Sequence, residues 1–133
     1  MTNWSDEIIN YIRSMNEAQL YISANLKETE INDRKCLIRS DIDINYKDLK
    51  GITNKERISK RRSPIMPNNE EIHLHHIGQE ENSPLAELTL SEHLGKGNYS
   101  ILHDVSKPSK IDRIKFGKTK PIYWKIRFNI GGY

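Results

Sequence analysis

The histidines of this chain are confined to one stretch, and part of that stretch alternates as a β-strand does. The 133-residue chain has five of them: His73, His75, His76, His93 and His103. The segment "EIHLHHI" (71–77) alternates β-branched or apolar residues with imidazoles, which favours a strand. Because successive strand side chains point to opposite faces, His73 and His75 should share one face and His76 should lie on the other.

The two remaining histidines follow at spacings that allow the chain to bring them back to this strand. His93 comes 17 residues after His76, and His103 follows ten residues later. A turn, an extended return and a helix would bring His75, His93 and His103 around one point. Three imidazoles leave open coordination positions, as in a catalytic rather than a structural metal site. His76, on the neighbouring face, could take a proton from water, and this combination suits phosphodiester hydrolysis.

The pattern along the rest of the chain predicts an α+β fold, with helices around a small strand pair. "SDEIINYIRSMNEAQLYISANLK" predicts an amphipathic helix that begins after Ser5 and is broken near Ser14–Asn16. The predicted strand pair is "EIHLHHI" and "LAELTL", and "KCLIR" is a further short strand. We expect a single domain over 1–133, with an N-terminal helical segment (1–33) before a core (34–133).

Four further helices are predicted from capping residues and proline. "TNKERISKR" predicts a short helix capped by Thr53, and "SEHL" one capped by Ser91. "SKPSKIDRIKFGK" predicts a helix that begins near Ser106 or Ser109. Pro121 is predicted to open a separate last helix, "PIYWKIRF", since proline is favoured at the first helical position.

Positive charge is concentrated in two places. Residues 1–33 carry two basic and six acidic residues, whereas 107–133 carry eight basic residues and one acid. A second basic segment is "KERISKRR" (55–62). Dense positive charge favours a polyanionic partner, with nucleic acid first, although solvated surface explains many such runs equally well.

The chain has one cysteine and no long apolar run. Cys36 can form no internal disulfide, and a cysteine zinc cage is excluded, so any metal must be held by nitrogen or oxygen. The sequence "KCLIR" predicts that Cys36 is a small apolar strand residue. No apolar run approaches the length of a membrane span, and Met1 is not followed by a standard signal segment.

Several spaced motifs together resemble one family. "LHHIGQ", "SPLAELT", the "EH" of 92–93 and "ILHD" closely resemble the LHH nucleases of the HNH/endonuclease VII superfamily. The flanking pieces "DID" (41–43), "GITNKER", "SPIMP" and "PSKIDRIKF" fit the same pattern, so the resemblance extends over roughly 30–128.

This resemblance implies a ββα-metal (HNH) finger, in which two strands and a helix hold one divalent cation, here with additional N- and C-terminal helices. By position, His75, His93 and His103 would be the metal ligands, and His76 the general base. The implied catalytic residues are thus His76, His75 and His103. Zinc suits imidazole best, with magnesium, manganese or nickel as alternatives.

The family also implies partners and a setting. Such domains are commonly the C-terminal toxins of bacterial polymorphic toxin systems, so we expect a monomeric DNase, a DNA substrate and a cognate acidic immunity protein. It would be made in the bacterial cytoplasm, either free-standing or as the C-terminal part of a larger exported toxin, and would act in the target-cell cytoplasm.

Other residues are predicted to support the reaction or to bind phosphates. Gln79 is expected to orient a ligand or a phosphate, while Glu92 and Asp104 are either carboxylates that fix an imidazole or solvated surface residues. His73 is expected at the surface or on the DNA side. The predicted nucleic-acid contacts are Lys96, Lys110, Arg113, Lys115, Lys118, Arg61 and Arg62. Two other functions stay open: a non-catalytic, zinc-stabilised nucleic-acid-binding module and an RNase.

Overall fold

A four-stranded sheet organises the chain, and the strand that carries the histidines lies at its edge. The computed structural model describes residues 3–95, 97–104, 106 and 110–131. The strands are β1 (Lys27–Ile31), β2 (Arg34–Ile38), β3 (Ile72–His76) and β4 (Leu85–Thr89). Their order is β1-β2-β4-β3, with β2 parallel to β4 and the other pairs antiparallel. β3 is therefore an edge strand, and its outer edge is paired at its start, where the backbone N–H of Ile72 donates to the Pro64 carbonyl oxygen at 3.0 Å.

Six helices cover the two faces of the sheet. They are α1 (Asp6–Tyr11), α2 (Met15–Ser23), α3 (Asn54–Ser59), α4 (Leu90–Leu94), α5 (Asn98–Leu102) and α6 (Arg113–Arg127). None of the helices in the described part of the chain is both long and apolar enough to cross a membrane.

Alternation along the strands creates two hydrophobic cores. On one face, Ile72 and Leu74 of β3 pack with Phe116 and Trp124 of α6. On the other face, Leu88 of β4 belongs to a cluster built largely from α1, α2 and α5. Because β3 contributes Leu74 to the first core, the neighbouring His75 must face the second layer.

Several predicted elements are confirmed. β3 and β4 form where the alternation predicts them, Thr53 caps α3, and the N-terminal helix is interrupted before Ser14, which caps α2. Cys36 is buried in β2, where burial raises the pKa of its thiol to about 11. The fold is α+β, as expected.

The extent of the sheet and the start of α4 differ from the prediction. The expected small strand pair is part of a four-stranded sheet. The last part of the N-terminal segment (1–33) is not helical but forms β1, which pairs with β2 along its whole length. Thr89 rather than Ser91 caps α4, because the side chains of Thr89 and Glu92 form a reciprocal capping box.

The two predicted C-terminal helices are one continuous helix. Asp112 caps α6 by accepting hydrogen bonds from two backbone N–H groups, so neither Ser106 nor Ser109 does (Ser109 lies outside the described residues). Pro121 lies inside α6 rather than at its start. Proline removes the backbone hydrogen bond to residue 117, but Gly117 is exposed and its carbonyl can reach water. Phe116 and Trp124, before and after Pro121, pack into the same core and keep the helix continuous.

One fully buried carboxylate connects the sheet to α6. Glu87 of β4 accepts hydrogen bonds from the Tyr123 hydroxyl at 2.6 Å, from Nε of Arg127 at 2.9 Å and from the backbone N–H of Arg39 at 2.9 Å. Arg39 in turn pairs with Glu92 of α4 at 2.5 Å. This chain of polar contacts fixes α4 and α6 relative to β4.

Candidate metal centre and active site

Three histidines from three elements converge at the edge of the sheet. His75 comes from β3, His93 from α4, and His103 from the C-terminal end of α5. Each offers one ring nitrogen, and these nitrogens lie within 4.8 Å of one another. Tetrahedral zinc with bonds of about 2.0–2.1 Å would hold its ligand nitrogens about 3.3 Å apart, so a small inward movement of the rings would suffice.

Within the described part of the chain, the hydrogen bonds of these rings leave three nitrogens without a protein partner. Nε2 of His75 and Nε2 of His93 are buried and have no hydrogen-bond partner there. Nδ1 of His103 lies 2.9 Å from the Tyr99 carbonyl oxygen, which can only accept, so Nδ1 donates and Nε2 carries the lone pair. Unpaired buried polar atoms are rare and require an explanation. A cation bound by three Nε2 lone pairs satisfies all of them, so the residues present fit a divalent metal.

His75, His93 and His103 are called the triad below, and local hydrogen bonds fix the backbone around them. The capping box of α4 orients the helix that carries His93, and Glu92 of that box pairs with Arg39. On the other side, the side-chain oxygen of Gln79 accepts from the backbone N–H of Asp104 at 2.7 Å, directly after His103. Gln79 therefore connects the turn after β3 to the segment that carries His103.

A glycine allows that turn to approach the N-terminal helices. Gly78 has a φ of +89°, and a Cβ at this position would lie 2.6 Å from Cδ1 of Tyr11. A side chain is therefore excluded both by the left-handed backbone and by the close contact with Tyr11. The N-terminal segment thus helps to place Gln79 and the end of β3.

Burial keeps the three imidazoles neutral. Desolvation lowers the pKa of His75 well below its usual value, and the neighbouring His93 and His103 lower it further. Desolvation also lowers the pKa of His93 to about 4 and lowers that of His103. Neutral imidazole is the form that binds a metal, so the ligands are ready at neutral pH.

His76 lies on the opposite face of β3, as predicted, but lines the same cleft. Its ring packs edge-on against Phe116 of α6, with ring centroids 4.3 Å apart. The cleft has a volume of about 360 Å³ and is lined by all three triad histidines, His76 and Arg113. Both faces of the strand reach one cleft because β3 is the outermost strand. Desolvation, with Arg34 and Arg113 nearby, lowers the pKa of His76 to about 3.

Tyr99, which lines the cleft, and Arg13, whose charge acts on His75 and His103, were not predicted from the sequence. Tyr99 stacks on the His103 ring with centroids 4.2 Å apart and lines the cleft. Arg13, from the N-terminal segment, donates to the Ile101 carbonyl at 2.7 Å, and its charge lowers the pKa of His75 and His103. Because the N-terminal segment is acidic overall, its composition did not indicate that Arg13 lies close to the triad.

The predicted phosphate-contacting residues occupy three different places. Arg113 lines the cleft, whereas Lys110, Lys115 and Lys118 are exposed before or on α6. Arg61 and Arg62 line a second groove, of about 300 Å³, together with Lys120 and Glu71. Lys96 lies outside the described residues.

Glu92, Asp104 and His73 have different surroundings. Glu92 contacts Arg39 and the backbone of its own helix cap rather than an imidazole. Asp104 lines the cleft and accepts a hydrogen bond from the Ser106 hydroxyl at 2.5 Å. Nδ1 of His73 lies 3.0 Å from Nδ1 of His93, so His73 contacts a triad ring and is only half-buried.

A comparison with known families identifies the chain. A family described as "a nuclease of the HNH/ENDO VII superfamily with conserved LHH" matches residues 53–129, which is 77 of the 133 residues. The chain belongs to the LHH nuclease family. The match to the LHH family contains all five histidines, whereas "DID" (41–43) lies before it. No solved structure matches this LHH nuclease.

Proposed function

We propose that this LHH nuclease is a metal-dependent endonuclease that hydrolyses DNA with little sequence specificity. One observation carries the proposal: three convergent imidazoles, two of them with buried unpaired Nε2 atoms, share a cleft with a fourth, neutral imidazole. A site that only stabilised the fold would have no use for His76 beside it.

We propose that β3, β4 and α4 form the frame of a ββα-metal finger. β3 and β4 pair antiparallel over five residues, and α4 begins directly after β4. His75 and His93 are thereby placed on a strand and a helix of one continuous unit. His103 is the third proposed ligand and comes from α5, outside that unit.

The proposed cofactor is one divalent cation, with zinc as the ion that imidazole prefers and magnesium, manganese or nickel as alternatives. When bound, it would act as a Lewis acid that stabilises the charge on the scissile phosphate and on the leaving oxygen. His75, His93 and His103 would hold it through their Nε2 atoms.

His76 is the proposed general base. Its ring is neutral at neutral pH, so one ring nitrogen has a free lone pair that can accept a proton from the attacking water. A phosphate bound in the cleft would raise its pKa towards neutrality, since a nearby negative charge favours the imidazolium. Arg113, which lines the same cleft, is placed to contact the phosphate.

A positive path along the edge of β3 supports a nucleic-acid substrate. The charge of Arg113 acts on His76, and that of Lys120 acts on His73, so α6 runs alongside β3. The groove of Arg61, Arg62 and Lys120 lies next to Glu71, roughly 15 Å along the strand from His76 at the usual rise per residue. Such contacts reach phosphates rather than base edges, which gives binding without base selection.

Plasmid cleavage tests the proposal. The metal-free chain is incubated with supercoiled plasmid and, in parallel, with a structured RNA, each with zinc, magnesium, manganese or nickel and each with excess chelator. We expect metal-dependent plasmid cleavage at many sites. Cleavage of RNA alone would favour the RNase alternative. Metal binding without cleavage of either substrate would favour the zinc-stabilised binding module.

Charge reversal tests the binding surface. Lys110→Glu, Lys115→Glu and Lys118→Glu together should weaken binding to all sequences alike and reduce the salt dependence by about one phosphate contact for each lysine. Lys27→Glu is the matched control, because this exposed lysine lies on β1 at the opposite edge of the sheet. Equal losses of nucleic-acid affinity in the control and the triple variant would contradict the proposal that this surface binds the substrate.

We further propose that the chain acts as a monomeric antibacterial toxin in the cytoplasm of a target cell and is neutralised by an acidic immunity protein. The exposed cations of α6 would attract such a protein by electrostatic steering. Binding across α6 would exclude DNA without a contact to the triad. Co-expression of the adjacent gene product, followed by measurement of complex formation and plasmid cleavage, tests this. A chain that is harmless in bacteria and binds no neighbour would contradict it.

A further inference from the structure

His73 is a histidine outside the triad that contacts a triad ring. It shares one face of β3 with His75, and α4 covers that face. Its Nδ1 lies 3.0 Å from Nδ1 of His93, and the two rings meet edge to face, with an interplanar angle of 88°. This separation is that of an N–H···N hydrogen bond.

The single proton of a neutral imidazole determines which of the two rings donates in this hydrogen bond. A neutral imidazole carries one proton, on either Nδ1 or Nε2. Among the described residues, Nε2 of His93 is buried without a hydrogen-bond partner, and the His93 ring packs against that of His103, so a proton on Nε2 would have no acceptor. The proton of His93 is therefore on Nδ1, which donates to Nδ1 of His73. Two N–H groups facing each other at 3.0 Å would repel.

We propose that His73 is a positioning residue, which accepts the Nδ1 proton of His93 and thereby presents the Nε2 lone pair of His93 to the metal. The proposal rests on the metal site of the proposed function. Metal-bound histidines commonly donate their second N–H to a carboxylate, carbonyl or water, which fixes the ring and raises the basicity of the ligand. Here the acceptor is another imidazole.

His103 shows the same arrangement with a different acceptor. Its Nδ1 donates to the Tyr99 carbonyl oxygen at 2.9 Å, while the Tyr99 ring stacks on it. His93 and His103 are thus both held in the Nδ1–H form, one by a side chain and one by the backbone. Only the side-chain acceptor can be removed by substitution, so His73 can be tested directly.

The experiment compares His73→Leu with His73→Asn. Leucine has a similar volume without an acceptor, whereas the asparagine Oδ1 stands close to the position of Nδ1 and can accept the same proton. Zinc affinity is measured by competition with a chromophoric chelator on the full chain. The tautomer of His93 is read in the metal-free protein from long-range nitrogen–proton NMR correlations.

We expect His93 to carry its proton on Nδ1 in the metal-free wild type and in His73→Asn, but not uniformly in His73→Leu. Zinc affinity should fall by about 10–100-fold in His73→Leu and return close to the wild-type value in His73→Asn. A purely structural role would affect thermal unfolding of the metal-free chain without a tautomer change or rescue by asparagine.

The inference is overturned by wild-type zinc affinity in His73→Leu, by an asparagine variant as weak as the leucine variant, or by a proton on Nε2 of His93 in the wild type. A wild-type chain that binds no metal would instead overturn the metal site. The tautomer in the metal-free chain would still decide whether His73 orients His93.

Discussion

Glu87 and His75 are buried polar residues of neighbouring strands, but only the carboxylate has its hydrogen-bonding capacity filled. Glu87 is fully buried and accepts from Tyr123, Arg127 and the backbone of Arg39. His75 is 3% exposed, and its Nε2 has no hydrogen-bond partner in the part of the chain that the structure describes. Both groups bear the cost of burial, yet only Glu87 is compensated by protein contacts.

The difference separates a structural cluster from a functional one. A buried ionic group with all partners in place fixes the elements that supply those partners, here β2, β4 and α6. In the histidine cluster, contacts with the described part of the protein do not pair the buried Nε2 atoms, and a bound cation would pair them. Clusters of groups with strongly shifted pKa values in a cleft are also typical of active sites.

The largest effect on stability is expected at Glu87. Glu87→Gln removes the charge that pairs with Arg127 and leaves a buried guanidinium without its counter-ion, which should cost about 3–5 kcal/mol in the free energy of unfolding. Chemical denaturation of the metal-free chain measures it.

The matched control is Glu30→Gln. Glu30 pairs with Lys35 on the same sheet, but its side chain is 59% exposed, so the change should cost less than about 1 kcal/mol. Similar losses in the two variants would contradict the structural role of the Glu87 cluster.

The largest effect on activity is expected at His76. His76→Ala and the better-filling His76→Asn both remove the proposed base, so plasmid cleavage should fall by about two to four orders of magnitude. Zinc affinity should stay nearly unchanged, because His76 is not one of the three convergent ligands. Near wild-type cleavage in either variant would show that another group takes the proton.

A substitution at His75 is expected to raise the free energy of unfolding of the metal-free chain, whereas Glu87→Gln lowers it. His75→Leu replaces a buried imidazole that has an unpaired nitrogen, so the metal-free chain should be about 1–2 kcal/mol more stable than the wild type. Added zinc should not increase the stability of this variant. A loss as large as that of Glu87→Gln would mean that His75 is an ordinary structural residue.

The smallest effect is expected from pH on metal binding. An exposed histidine has a pKa near 6.5, so a site built from three such residues loses its metal steeply below that pH. Burial lowers the pKa of each triad histidine, and a ligand with a lowered pKa stays neutral until the pH falls to that value.

Zinc affinity should therefore change by less than about tenfold between roughly pH 7.5 and pH 5.5, as titrations in matched buffers would show. A fall of about a thousandfold over this range would indicate ordinary, accessible imidazoles.

Strand alternation and residue spacing in the sequence were enough to predict part of this site. Strand alternation placed His75 and His76 on opposite faces of β3, and the spacing to His93 and His103 allowed the triad to form. The helix after β4 was predicted, although Thr89 rather than Ser91 supplies the cap.

Contacts between distant segments could not be predicted in this way. Arg13 reaches the Ile101 carbonyl across 88 residues of sequence, and no local pattern indicates that pairing. The bond from His73 to His93 depends on how α4 packs against β3. The continuity of α6 through Pro121 depends on tertiary packing, which overrides the local preference of proline for a helix start.

Calorimetric titration of zinc into the metal-free chain tests the central claim most directly, because it asks whether the unpaired histidine nitrogens hold a cation. The result we expect is one ion per chain, with affinity strongly reduced in His103→Ala and retained in His76→Ala. Absence of binding, or unchanged affinity in His103→Ala, would contradict the account.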